Sequence, residues 1–453
     1  MTLFRRIRQA VFPGPASVFL FWVTLLALVI RLVWNLVIHP PGNYITSDMR
    51  SYWIQSSAML NAPLRRDGST IFFPYGTASL LTAVRAIFGP DNHLALAIVY
   101  ACLGTLLVPL VYYLAKRLTK AHHLPRIAAL ATCFYYPFIS YGGYYLSELP
   151  YAVCVTATAF YSLRLADEGR GRDAFYLGVV MALGATFRPQ ILLSIPLLFA
   201  IWIFRRRGWP GFRVWHWFRI ALPVVFMAVF SVARFHYHTG RMGFISGNEA
   251  LNYAFGRCHA LSIESKAVGY FSSFSPPPMG YLEHRDKRNR DSFIRLDPAL
   301  DVKLSLRGTM WTPETFEQVT RQCIERTGYA RQIRYALVHV IMLWGFNNAW
   351  PDSGEDPYRY IMLGAVVLHN ILFLTPTIIM LFAAFRRPFF RHALLAVHLV
   401  ALLAIAIVYF GDVRYRIAYD GLIIVLALDG WRRIYGWLTS RSWRLWGLGR
   451  RAL

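Results

Sequence analysis

The sequence predicts an all-α polytopic membrane protein with about ten transmembrane helices and two extracytoplasmic segments. Three observations predict it. Hydrophobic residues make up 56% of the 453 residues and charged residues only 16%, whereas a soluble domain is about 25% charged. Apolar stretches long enough to cross a bilayer recur along the chain. Lysine and arginine gather in alternate connections between those stretches. A chain this apolar would aggregate in water, which excludes a soluble globular enzyme. The 16% aromatic content excludes disorder, because disordered chains lack large apolar side chains.

Residues 17–38 (SVFLFWVTLLALVIRLVWNLVI) carry a single charge and form the first span. Arg5, Arg6 and Arg8 precede it like the basic start of a signal peptide, but no small-residue cleavage site follows and the apolar run is too long for one. The second span, 94–114, ends in Lys116, Arg117 and Lys120. Further apolar blocks at 126–146, 149–165, 174–187, 189–204, 219–235, 360–385, 393–410 and 418–431 complete the ten. The stretch 336–349 (ALVHVIMLWGFNNA) reads as an interfacial or re-entrant helix, since an eleventh span would move Arg386, Arg387 and Arg391 to the wrong side.

The formal charge of +25, from 48 basic and 23 acidic residues, raises nucleic-acid binding as a reading. The distribution argues against it. The connections assigned to the inner side hold 24 lysines and arginines, and the short outer ones hold 7. That asymmetry is how a membrane protein fixes its orientation, and it places both termini in the cytoplasm of a bacterial inner membrane. Three regions follow: 1–235 with the first outer loop 39–93 carrying the acidic motif, a large outer segment 236–350, and 351–453 with the three C-terminal transmembrane helices and a basic cytoplasmic tail.

Within the first outer loop, FFPYGTASLLTAVRAIFG reads as a short helix lying on the membrane. The large outer segment has a proline-rich turn (Ser275, Pro276, Pro277, Pro278), a charged patch at 283–297 and a helix start at Thr312-Pro313-Glu314, with Gly328 stopping that helix. Cys102, Cys133 and Cys154 fall in apolar spans, where a thiol packs as a small hydrophobe. Cys258 and Cys323 both fall in the large outer segment and are free either to pair or to stay reduced.

Ionisable groups near membrane depth mark candidate functional residues. Asp48, about ten residues beyond the first span, has two readings: an N-cap of the helix that follows, together with Ser47, or a functional carboxylate. Glu148 lies between two apolar blocks on the same side, as a solvated loop carboxylate or part of a site. Arg188, Arg234, Arg414 and Arg416 also face that side, where arginine is disfavoured. Snorkelling accounts for any one of them, but four guanidiniums and two carboxylates on one surface suit an anionic substrate such as a phosphate. The histidines give no metal signal: His236 and His238 are two apart, His369 and His398 lie in spans, and CxxC, HExxH and P-loop patterns are absent. Asp429 pairs most simply with Arg432 or Arg433.

The order of several short motifs resembles the GT-C superfamily of polytopic glycosyltransferases, in the bacterial branch related to protein O-mannosyltransferases and the lipid A aminoarabinose transferase. They are Ser47-Asp48-Met49 with Tyr52, Phe73-Pro74-Tyr75-Gly76 through Leu80-Leu81 to Phe88-Gly89-Pro90, and Tyr136-Pro137 with Ser147-Glu148. Arg188-Pro189, then Ser246-Gly247-Asn248 with Asn252 and Gly256, and finally Arg414-Tyr415-Arg416 continue the series. The likeness covers 17–260 and 390–430, leaving 261–345 unmatched. Met49 stands where protein O-mannosyltransferases have the second acid of an Asp-Glu pair, and Ala418-Tyr419-Asp420 follows RYR where the family usually has a proline.

The resemblance implies a membrane glycosyltransferase that moves a sugar from a polyprenyl-phosphate donor to a lipid, glycan or protein acceptor on the extracytoplasmic face, with inversion. It implies Asp48 and Glu148 as catalytic carboxylates, Arg188, Arg234, Arg414 and Arg416 as donor-phosphate contacts, and Tyr52, Asn248 and Asn252 as substrate contacts. Some members of the family use a divalent metal, but no cofactor is certain and no ligand set is visible here. The competing readings are a transporter or flippase, and a non-catalytic lipid-binding subunit recognising phosphate headgroups. Fusions at position 270 and at the C-terminus test the topology: a periplasmic reporter is expected to be active at 270 and silent at the C-terminus, and activity at the C-terminus overturns the even span count.

Overall fold

A computed structural model describes residues 16–204, 212–265, 269–274, 297–306, 313–345, 357–386 and 390–440. The chain enters through α1 (Ala16–Val33), whose last turn widens into a π turn at Trp34–Ile38 before His39-Pro40-Pro41 ends it. On the far side lie two short helices, α2 (Ser47–Asn61) and α3 (Tyr75–Phe88), packed on each other. The helix expected near residue 75 is therefore present.

Next come α4 (His93–Leu118), α5 (Leu124–Phe134), α6 (Tyr136–Ser140), α7 (Glu148–Glu168), α8 (Gly171–Phe187), α9 (Ser194–Phe204) and α10 (Val214–Thr239). The continuous span expected over 126–146 is corrected: the helix breaks at Tyr135, which adopts an extended conformation. Pro137 cannot donate to an ongoing helix, and the chain restarts as α6 before a 3-10 turn at Tyr141–Gly143. Similarly, Pro189 opens a 3-10 turn (Pro189–Leu193) ahead of α9. Helices α4, α7, α8 and α10 pack side by side. Gly178 makes the last contact close, because a Cβ there would lie 2.3 Å from the carbonyl oxygen of Ile220.

The large outer segment has its own small core. It contains α11 (Glu249–Arg257), β1 (Ala260–Ser265), β2 (Gly269–Phe274), β3 (Asp301–Leu306) and α12 (Pro313–Gly345). The strands form a sheet in the order β2-β1-β3, with β1 antiparallel to β2 and parallel to β3, Ala260 opposite Phe274 and Asp301. Sequence reading gave this region no sheet. Leu251, Leu261, Ile263, Val302, Phe316 and Val319 bury themselves together. A disulfide between Cys258 and Cys323 clamps α11 to α12 beside them. Gly328 interrupts α12 as expected (φ 73°), but the helix resumes beyond it, so the stretch expected to be interfacial is its second half, up to Gly345. The proline-rich turn, Thr312 and most of the charged patch lie outside the described residues.

The chain ends with α13 (Tyr358–His369), a π turn at Asn370–Leu374, α14 (Thr375–Ala384), α15 (Phe390–Val408), α16 (Val413–Ile417) and α17 (Asp420–Ser440). Asp429 pairs with Arg432 and Arg433 and also accepts from His392. Among the described residues, five helical stretches are long and apolar enough to cross a membrane on their own. The chain is a multi-pass membrane protein. Cys133 and Cys154 are buried and Cys102 is exposed on an apolar helix. Cysteine labelling of the denatured, unreduced chain is expected to add three tags and, after reduction, five; five tags before reduction would exclude the Cys258–Cys323 bridge.

Candidate active site

One end of the helical body gathers the N-termini of α2, α7 and α17, the C-terminus of α8, and the short α16. A charged side chain comes from four of these places. Glu148 is the first residue of α7, where the helix dipole favours a carboxylate. Its side chain is wholly buried, and so its charge has to be met by protein groups. Arg188, directly after α8, donates from Nη2 to Glu148 Oε1 at 2.5 Å and from Nε to Ser147 Oγ at 3.0 Å. Arg414 in α16 donates from Nε to the same Glu148 oxygen and from Nη1 to Asp48 Oδ2 at 2.8 Å.

Asp48 therefore does not serve as a helix cap. The N-cap position of α2 is Thr46, and no side chain makes a capping bond there. Ser47 sits at φ 48°, a left-handed conformation that is uncommon and mildly costly for a residue with a Cβ. It is the one non-glycine residue with positive φ among those described. The chain is bent at the place that directs Asp48 to Arg414.

Burial alone would weaken the hold of Arg414 on its proton, but Glu148 and Asp48 outweigh it and keep the guanidinium firmly charged. Arg414 is oriented by its neighbours. Asp412 accepts from the Arg414 backbone N–H at 2.7 Å and so caps α16. Gly411 lies against the carbonyl of His339, where a Cβ would sit 1.8 Å from the oxygen. Tyr415 spreads its ring beneath the Arg188 guanidinium, 4.8 Å from its centroid. Tyr52, one turn beyond Asp48, is buried beside both carboxylates, and burial followed by their charge pushes its hydroxyl up to about 12. It is a neutral hydrogen-bonding group at ordinary pH.

The structure thus unites Asp48, Glu148, Arg188, Arg414 and Tyr52. It sends the other expected residues elsewhere. Arg416 is fully buried and faces inward, donating to Asp420 at 3.0 Å and to the carbonyl of Leu343 at 3.1 Å. Tyr135 donates to Asp420 at 2.5 Å, so its oxygen must accept from His369 Nδ1 at 2.7 Å. Arg234 donates to the carbonyl of Thr70 and lies over the ring of Tyr75. Asn248 precedes α11 and accepts from Ser246 Oγ at 3.0 Å, with Asn252 one turn along that helix. His398 meets Ser194, a contact between packed helices. Sequence reading gave no role to Asp412, or to Ser147 and Tyr415 beyond their place in motifs. A signal existed for the first, since an Asp two residues before Arg414 in a Gly-Asp turn is in capping position.

Comparison with known proteins comes to bear on this arrangement. Residues 74–234 match the family model described as dolichyl-phosphate-mannose-protein mannosyltransferase. Glu148, Arg188 and Arg234 fall inside the matched stretch; Asp48 and Arg414 fall outside it. No curated protein sequence matches the chain. Among solved structures, the archaeal oligosaccharyltransferase AglB from Archaeoglobus fulgidus, in complex with an inhibitory peptide and a dolichol-phosphate, is similar at TM-score 0.51 and 14% identity, over 96% of this chain and 52% of that one. The apo form of the Archaeoglobus fulgidus oligosaccharyltransferase is similar at TM-score 0.50 and 13% identity, over 96% and 52%. Its complex with zinc and sulfate gives TM-score 0.45 at 14% identity, over 93% and 50%. This chain spans about half the length of those it matches. The fold is GT-C-like, as the resemblance in sequence led one to expect.

Removing the Arg414 guanidinium would leave Glu148 buried with Arg188 alone and Asp48 unpaired. Arg414→Ala is expected to destabilise the protein by about 3–5 kcal/mol, read as a lowered thermal unfolding midpoint in detergent, with Arg416→Ala destabilising too because it strands Asp420. An Arg414→Ala midpoint equal to wild type would mean that the cluster does not hold the helix ends together.

Proposed function

We propose that the chain is an integral membrane glycosyltransferase that moves a sugar from a polyprenyl-phosphate donor to an acceptor, with inversion, at the end of the body that holds Asp48. The observation that carries this reading is the unequal burial of two carboxylates on one guanidinium: Asp48 is 28% exposed and Glu148 not at all. An acceptor hydroxyl can reach Asp48. It cannot reach Glu148.

In this reading the acceptor O–H gives its proton to Asp48, and its oxygen attacks the sugar C1 from the side opposite the lipid phosphate. The C1–O bond breaks and its electron pair remains on the phosphate oxygen. Arg188 and Arg414 stabilise that charge, held in place beforehand by Glu148, Ser147 and Asp412. Glu148 is thereby a positioning residue. Arg234 and Arg416, engaged elsewhere, are not needed as donor contacts. The AglB structure is a complex with an inhibitory peptide and a dolichol-phosphate, a lipid of the same class as the proposed donor.

A divalent cation does not fit Asp48 and Glu148 as they stand. Arg414 bridges them, so a metal would have to displace that guanidinium. Among the described residues no three His, Cys, Asp or Glu side chains form a group suited to a metal. No step is routed through one. The transporter and lipid-binding readings use the same arginines, but the family match lies with transferases. The sidedness follows the charge asymmetry of the connections, with the site periplasmic and both termini in the cytoplasm.

The reading is tested with purified full-length protein and polyprenyl-phosphate mannose, following release of polyprenyl phosphate. Asp48→Asn keeps the size and a hydrogen-bonding acceptor but removes the base. It is expected to fold, bind donor and turn over about 10²–10⁴-fold more slowly. Turnover close to wild type would remove Asp48 from the mechanism, and no release from any polyprenyl-phosphate hexose or pentose would overturn the transferase reading itself.

A further inference from the structure

The opposite end of the body carries a second, unlike charged region. There α4 ends in Lys116 and Arg117, a short turn holds Lys120 and His122, and α5 begins with Leu124, Pro125 and Arg126. A cavity of about 750 Å³ lies between these residues, Ala16 at the start of α1 and Arg391 near the start of α15, a volume in the range of small-ligand sites. Five of its lining side chains are lysine or arginine, and none is a carboxylate.

The nearest acids offset only part of this charge, pairing with Arg117 and Arg391 of the lining. Asp167 is taken by Arg391 at 2.7 Å and approached by Arg117 at 3.4 Å. Glu168 is taken by Arg117 at 2.5 Å and by Arg170 at 2.9 Å. Lys116 and Lys120 are exposed and, among the described residues, have no carboxylate partner. The composition sharpens the point. The chain has five lysines, and the other three (Lys266, Lys287, Lys303) all lie in the large outer segment. The only two on the helical body meet at this cavity.

We propose that this cavity binds the phosphate headgroup of an anionic phospholipid. A cavity that only collected charge would suit free phosphate as well, but its wall is amphiphilic. Tyr112 lines it one helical turn before Lys116. The Arg126 guanidinium lies over the Phe19 ring, 5.4 Å from its centroid. Beyond Ala16, α1 presents Phe21 and Trp22 outward, each 61% exposed. A headgroup held by Lys116, Lys120 and Arg126 would lay its acyl chains along this aromatic stretch. The charge asymmetry of the connections assigns this end to the cytoplasmic leaflet, where basic pockets meet anionic lipids. The site is independent of the transfer reaction, and failure of either reading leaves the other standing.

Native mass spectrometry of the delipidated full chain, titrated with dioleoyl phosphatidylglycerol or dioleoyl phosphatidylcholine, tests it. Phosphatidylglycerol is expected to bind more tightly. Each surface charge removed is expected to weaken it about fivefold, so Lys116→Gln with Lys120→Gln should lose roughly 25-fold while phosphatidylcholine binding stays put. Lys303→Gln, an exposed lysine of the outer segment, should change nothing. Both replaced lysines are exposed, and an unchanged unfolding midpoint would confirm that the double variant folds. Equal binding of the two lipids by wild type, or an unaltered preference in the folded double variant, would overturn the proposal. Full displacement of phosphatidylglycerol by millimolar inorganic phosphate would overturn the lipid assignment in favour of a free anion.

Discussion

One guanidinium bridges two carboxylates that come from distant parts of the chain, and the geometry of the whole end of the molecule has to satisfy it. Glu148 is buried completely, and an unpaired charge there would cost several kcal/mol. Arg188 and Arg414 meet it, and Asp48 brings the group of four to neutrality. The four residues enter from α2, α7, the end of α8 and α16. Those ends therefore have to coincide, which constrains the lengths of the helices behind them. The break at Tyr135 and the 3-10 turn at Pro189 are places where the chain adjusts its path toward this end.

A short stretch of chain distributes its charges between two clusters by helical geometry alone. Arg414 and Arg416 are two residues apart on α16, about 200° around a helix. Arg414 consequently meets Asp48 and Glu148, while Arg416 enters a closed network with Asp420, Tyr135 and His369. Tyr415 takes the direction between them and supports Arg188. The inner network ties α17 to α5 and α13, so the segment that carries Arg414 is fixed from behind. An arginine that looks like a ligand contact in sequence is here part of the frame.

The helices were legible because hydrophobic length and charge asymmetry are local properties of the chain. Most of the apolar blocks fall on helices, five of which are long and apolar enough to cross a membrane on their own among the described residues, while the block at 126–146 breaks at Tyr135. All six charged site candidates were read as ionisable groups at apolar ends, and four of them, Asp48, Glu148, Arg188 and Arg414, come together. What separates Arg416 from Arg414 is the Asp420 partner four residues on, an i,i+4 spacing that the sequence contains. The β1–β3 pairing and the Cys258–Cys323 bridge were not legible in the same way. Both join residues tens of positions apart, and spacing alone fixes no distance between them.

The two carboxylates show why residue type alone could not assign their parts. Each begins a helix, where the dipole favours negative charge, and each touches the same arginine. A capping role for Asp48 would have oriented its side chain back onto the first turn of α2. Instead the unusual backbone at Ser47 turns it outward to Arg414. Glu148, enclosed between Arg188, Arg414 and Ser147, can exchange nothing with a bound molecule directly. Its charge draws the two guanidiniums, which repel each other, onto one oxygen and so sets their spacing. Asp48 keeps one side open to solvent while sharing that same electrostatic frame. The proposed division of labour between base and support thus rests on exposure, 28% for Asp48 and none for Glu148, and exposure follows from where each helix begins relative to the surface of the body.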